Sequence, residues 1–131
     1  MTCFANLPWL PISPGFDLKL VRGVTDDDSE TRVLLLRVQP GTVIGRHRHT
    51  GEVHAFHISG QRKLLDTGEV LGPGTYLYEP PGNIDSWMAV GDEPLVVFLT
   101  LSGRIDYLDD AGTVIKQSTA ATTRARYRAL L

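Results

Sequence analysis

Among 131 residues the chain has one cysteine, Cys3, so no disulfide can form within it. A reducing, cytoplasmic setting is expected. Long apolar runs are missing as well, and none approaches the ~18 residues that a membrane-spanning helix needs. The first residues, MTCFANLPWLPISPG, carry three prolines and no charged leader, so they do not read as a secretory signal. There is no basic tract. Thirteen Lys and Arg against fifteen Asp and Glu leave a net charge of −2. Neither nucleic acid nor an anionic membrane is therefore an expected partner.

Thirteen glycines and eight prolines exceed the usual share. They punctuate the chain into segments too short for helices of ten residues or more. Segments 16–21, 32–39, 53–59, 75–78 and 95–101 read as strands, the last (LVVFLTL) as one buried in a core. Residues 66–69 and 109–112 read as hairpin turns, and 26–30 as a solvated acidic loop. Segment 119–131 (TAATTRARYRALL), with its alanines, three arginines and no Gly or Pro, predicts a short C-terminal helix with Thr122 or Thr123 as N-cap. The length suits one domain spanning 1–131. Many short strands predict an all-β sandwich, jelly roll or barrel.

All four histidines lie between positions 47 and 57. On a strand, residues i and i+2 share a face, so His47 and His49 point one way and Arg46 and Arg48 the other. Two adjacent imidazoles can chelate one metal ion, although an HxH pair also occurs as two ordinary polar residues. His54 and His57 have opposite parity; His57 reads as structural.

The run Pro40-Gly41 to Gly60, with Gly41 six residues before His47-Arg-His49, resembles the first motif of the cupin superfamily. Gly74-Thr-Tyr-Leu-Tyr-Glu-Pro80-Pro81-Gly82-Asn-Ile-Asp85 resembles the second. Two departures stand out. The acid expected after HxH is displaced, with Glu52 too early and His54 in its place, and Asp85 stands where the second motif has histidine. A narrower resemblance is to small cupin dioxygenases that cleave diketones or hydroxyketones, of the dihydroxyacetophenone and acetylacetone type, and to ChrR-like cupin domains.

The resemblance implies a cupin-type jelly-roll β-barrel holding one divalent transition metal. Fe(II) is the expected ion, with Zn, Mn or Ni as other possibilities. The implied ligands are His47, His49 and Asp85, with His54 as a further candidate; two imidazoles and a carboxylate form the ligand set of non-haem iron oxygenases. Asp85, His54 and Tyr78 are the candidate catalytic residues. Glu79 is a candidate for orienting substrate, and Glu52 and Asp66 are lesser ligand candidates. Tyr76, Tyr78, Phe56, Trp87, Met88 and Phe98 are candidates for lining the pocket. The expected activity is an Fe(II) dioxygenase acting on a small ketone, enol or hydroxyketone. The alternatives are an isomerase, lyase or cyclase using a His/Asp acid–base pair, and a non-enzymatic sensing module. A homodimer is expected, with 7–12 and the C-terminal segment as candidate contact surfaces.

Overall fold

The structure, a computed structural model, describes residues 2–22 and 30–131. Most of the acidic loop expected at 26–30 lies outside the described residues. The strands are β1 (Leu10–Ser13), β2 (Phe16–Arg22), β3 (Arg32–Val38), β4 (Val43–His49), β5 (Val53–Ser59) and β6 (Gln61–Leu64). They continue with β7 (Val70–Leu71), β8 (Tyr76–Glu79), β9 (Ile84–Val90), β10 (Leu95–Leu101), β11 (Ile105–Leu108) and β12 (Val114–Ser118). The α-helix α1 (Ala120–Leu130) follows.

Two antiparallel six-stranded sheets form, ordered β1-β2-β3-β10-β5-β8 and β12-β11-β4-β9-β6-β7. They face each other as a jelly roll. Alternation sets the inner faces. Leu34 and Leu36 of β3, Val53 and Ala55 of β5, and Val97 and Leu99 of β10 meet Ile44, Trp87 and Ala89 of the opposite sheet.

The chain crosses between sheets at two corners that flank β5. Thr50-Gly51-Glu52 reads in sequence as a hairpin turn. Here it carries the chain from β4 in one sheet to β5 in the other. Gly60 makes the return crossing to β6, at φ +71°, where any Cβ would collide with the Pro94 carbonyl oxygen.

The helix forms where expected, but its cap is Thr119 rather than Thr122 or Thr123. Thr119 Oγ1 accepts from the Thr122 amide at 3.1 Å, and Thr122 Oγ1 accepts from the Thr119 amide at 2.9 Å. Thr122 thus fills the place usually taken by glutamate in a capping box. Tyr127 is fully buried, and its hydroxyl donates to the Pro8 carbonyl at 2.6 Å. The N- and C-terminal segments, both expected as contact surfaces, therefore pack on each other within one chain. Among the described residues, no helix is long and apolar enough to cross a membrane.

Two buried charges tie the C-terminal strands down. Arg32 donates to Ser118 Oγ (2.8 Å), Thr123 Oγ1 (3.1 Å) and the Ser118 and Gly103 carbonyls. Burial lowers its pKa to about 10, so it is still a cation at neutral pH. Asp106 of β11 accepts from Arg104 at 2.6 and 3.1 Å, and from Arg48 and Gln117 at 3.2 Å each. Led by the Arg104 hydrogen bond, these partners hold its pKa near 2. A carboxylate whose pKa falls on folding stabilises the fold above its unfolded pKa, and that contribution fades as pH drops through the folded value. Asp106→Asn should therefore lower the urea midpoint at pH 6. The gap from wild type should close between about pH 4 and pH 2. Denaturation across that range checks it; a gap independent of pH would refute the assignment.

Candidate functional site

His47 and His49 occupy the inner face of β4, 4% and 6% exposed, with ring centroids 4.9 Å apart and planes nearly perpendicular. Arg46 and Arg48 point outward, as strand parity requires. His47 Nδ1 lies 2.7 Å from the Gly45 carbonyl. A nitrogen facing a carbonyl carries the proton, which leaves Nε2 as a bare donor, the arrangement usual for a ligating histidine. Nδ1 of His49 is buried without a hydrogen-bond partner. Burial is the main cause that lowers both pKa values, that of His49 to about 3, so both rings are neutral at pH 7.

Asp85 is buried on β9, directly across the β4–β9 ladder from His47. Its carboxyl meets that of Glu79, from the end of β8. Glu79 also accepts from Asn83 Nδ2 at 2.9 Å. Burial, and then the Asp85 charge, raise the Glu79 pKa to about 7. Arg62, on the inner face of β6, stands near both carboxyls and lies over the Trp87 ring at 5.0 Å. The second motif thus brings its aspartate to the histidine strand. Glu79 faces inward beside it.

His54 does not join this group. On β5 the inward positions are Val53, Ala55 and His57, so His54 lies on the outer face. There its Nδ1 meets the Tyr76 hydroxyl at 2.6 Å and its Nε2 lies 3.4 Å from Glu52 Oε1. Tyr78 stands on the same outer face and donates to Glu52 at 3.3 Å. The structure therefore separates His54, Tyr78 and Glu52 from the histidine pair, contrary to the expected roles of His54 and Tyr78. The physical reason is the corner at 50–52, which returns the chain with Val53, not His54, facing inward. Asp66 lies in the turn after β6 and is exposed. Arg37 also faces outward, bonded to Asp17 at 3.0 Å beneath the Trp9 ring.

A cavity of about 180 Å³ opens from the histidine pair between the sheets. His47, His49, Glu79, Arg62 and Trp87 line its polar part, and Leu34, Val53, Leu99 and Leu101 are among its apolar walls. Lys116, Thr123 and Arg126, from β12 and α1, line it too. Of the expected lining aromatics only Trp87 contributes. Phe56, Tyr76, Tyr78 and Phe98 lie on the outer face of their sheet. Met88 has opposite parity to Trp87.

Among the described residues, no three His, Cys, Asp or Glu side chains converge as a ready-made metal cage. The pair of neutral imidazoles, with the orphaned His49 Nδ1, nevertheless fits a divalent transition metal. Asp85, paired with His47 across the ladder, and Glu79 beside it are buried carboxylates. Glu79 was expected beside the second motif, whereas Arg62 was not signalled by sequence: the β6–β9 register turns it inward.

A twelve-strand jelly roll with paired turns around an inward HxH pair defines a protein of the cupin superfamily. The chain belongs to the ChrR cupin-like domain family, whose model matches residues 1–104. No curated protein matches it in sequence. Among solved structures it is similar to an RmlC-like cupin from Ralstonia eutropha. Identity is 24% and the TM-score 0.87, over 98% of this chain and 85% of that one. It is also similar to an acetylacetone dioxygenase from Acinetobacter johnsonii (17%, TM-score 0.80, 92% and 85%). A third similar structure is the anti-sigma factor ChrR of Rhodobacter sphaeroides in complex with SigE (13%, TM-score 0.64, 74% and 50%). At these identities the likeness shows the fold.

Proposed function

We propose that this cupin is a metal-dependent enzyme, an Fe(II) dioxygenase that cleaves a small ketone, enol or hydroxyketone. The observation that carries this reading is the buried, neutral His47–His49 pair at the wall of a largely apolar cavity. The two imidazoles would hold the ion, with Asp85 or Glu79 as the anionic ligand. When bound, ferrous iron supplies Lewis acidity toward a substrate oxygen and a redox centre for O₂. The chain's own residues do the rest. Leu34, Val53, Leu99 and Leu101 exclude water and receive the apolar body of the substrate. Glu79, its pKa raised to about 7 by burial, gives or takes a proton beside the reacting end.

Protein loaded anaerobically with Fe(II) should consume O₂ when supplied with pentane-2,4-dione or a hydroxyacetophenone, and His49→Ala should not. Tight iron binding with no O₂ uptake on any ketone or enol would sink the oxygenase reading. The raised pKa of Glu79, buried against Asp85, favours a second reading, a metal-independent isomerase or lyase. Turnover that survives complete chelation would select it.

A further inference from the structure

Arg62 has an unfilled hydrogen-bonding edge. It is 3% exposed, yet its Nε and Nη2 have no hydrogen-bond partner. These two donors form one edge of the planar guanidinium, the edge that grips a carboxylate through two parallel bonds. The nearby acids do not use it. Glu79 is engaged with Asn83 and Asp85. Leaving charged donors buried and unpaired is costly, and a ligand group that fills them removes the cost.

The charge around the cavity points the same way. Among the described residues, Arg32, Arg62, Lys116 and Arg126 line it, and Glu79 is the one acid that does. Arg32 is bound only by neutral oxygens, and Arg126 donates to the Pro11 carbonyl at 3.3 Å. The Trp87 ring beneath Arg62 keeps its guanidinium oriented.

We propose that the cavity takes a ligand bearing a carboxylate, toward which the Arg62 guanidinium turns its closed-off Nε–Nη2 edge, while the ligand's apolar body rests against Trp87, Leu99 and Leu101. This rests on the reading of the cavity as the substrate site and narrows the substrate to a small keto or hydroxy acid, as opposed to a neutral diketone. The binding itself needs no metal.

The test is calorimetric titration of metal-free protein, its metal content verified, with two size-matched pairs. Acetoacetate is compared with pentane-2,4-dione, and benzoylformate with 1-phenylpropane-1,2-dione. In at least one pair the acid should bind about tenfold or more tighter than its neutral partner. Arg62→Gln should abolish that preference, and Arg62→Lys, which keeps the charge without the two-donor edge, should retain part of it. Circular dichroism checks that each variant is folded; if Arg62→Gln is not, Arg62→Lys alone must lower the preference at least about threefold. Neutral ligands binding as well as the acids in both pairs would overturn the proposal. So would undetectable binding of both acids up to about 10 mM, or a preference unchanged by substitution at Arg62. Acid binding without O₂ uptake on iron loading would remove the oxygenase reading and leave this one standing.

Discussion

His49→Ala is expected to purify with less than about a tenth of the wild-type metal, reflecting an affinity loss of roughly 100-fold or more. His49 offers a neutral ring at pH 7, because burial keeps its pKa near 3, and its Nδ1 has no other partner. Removing one of two preset imidazoles leaves His47 with carboxylates already engaged with each other. His54→Ala is the matched control. It removes an outer-face histidine that contacts Tyr76 and Glu52, so metal content should be unchanged. Elemental analysis of both variants decides the matter. If metal follows His54 and ignores His49, the site lies on the other face of the sheet and the assignment of the inner pair fails. Asp85→Asn and Glu79→Gln, measured in the same way, identify the carboxylate.

Tyr127→Ala is expected to cost about 3–5 kcal/mol, a large share of the stability of a domain this size. The ring is fully buried at the meeting point of α1 and the N-terminal segment, and its hydroxyl caps the Pro8 carbonyl. Tyr127→Phe separates the two contributions. It keeps the ring, loses only the 2.6 Å hydrogen bond, and should cost about 1–2 kcal/mol. Thermal or denaturant unfolding of the two variants measures this. A Tyr127→Ala protein as stable as wild type would mean that α1 is not part of the cooperative fold.

The barrel was legible in sequence because strand parity and turn residues act locally. His47 and His49 share a face whatever surrounds them, and the Pro-x-Gly spacing carried Asp85 to its place opposite His47. What sequence did not show is where parity restarts after a change of sheet. The corner at Thr50-Gly51-Glu52 decides that Val53 faces inward and His54 outward, and nothing within the tripeptide announces it. The error in the aromatic lining has the same origin: Tyr76 and Tyr78 pair with Phe56 and His54 on β5 and inherit their outward direction. Arg62 was hidden differently. A cation in a short polar strand reads as surface, and its inward turn is set by its pairing with Ala89 on β9. The helix was recognisable from composition, while its cap was misjudged because two threonines act reciprocally and the earlier one is the true N-cap.

The hold of Arg32 on Ser118 and Thr123 has a consequence for how such proteins diversify. The family match ends at residue 104, yet Lys116, Thr123 and Arg126 beyond it face the cavity. One guanidinium, reaching from β3, clamps that appended wall onto the barrel through oxygens of small side chains and backbone. The histidine pair and the ligand-facing rim thus belong to different stretches of the chain. A relative could exchange its last two dozen residues, keep an arginine at the clamp, and read a different ligand over the same metal ligands.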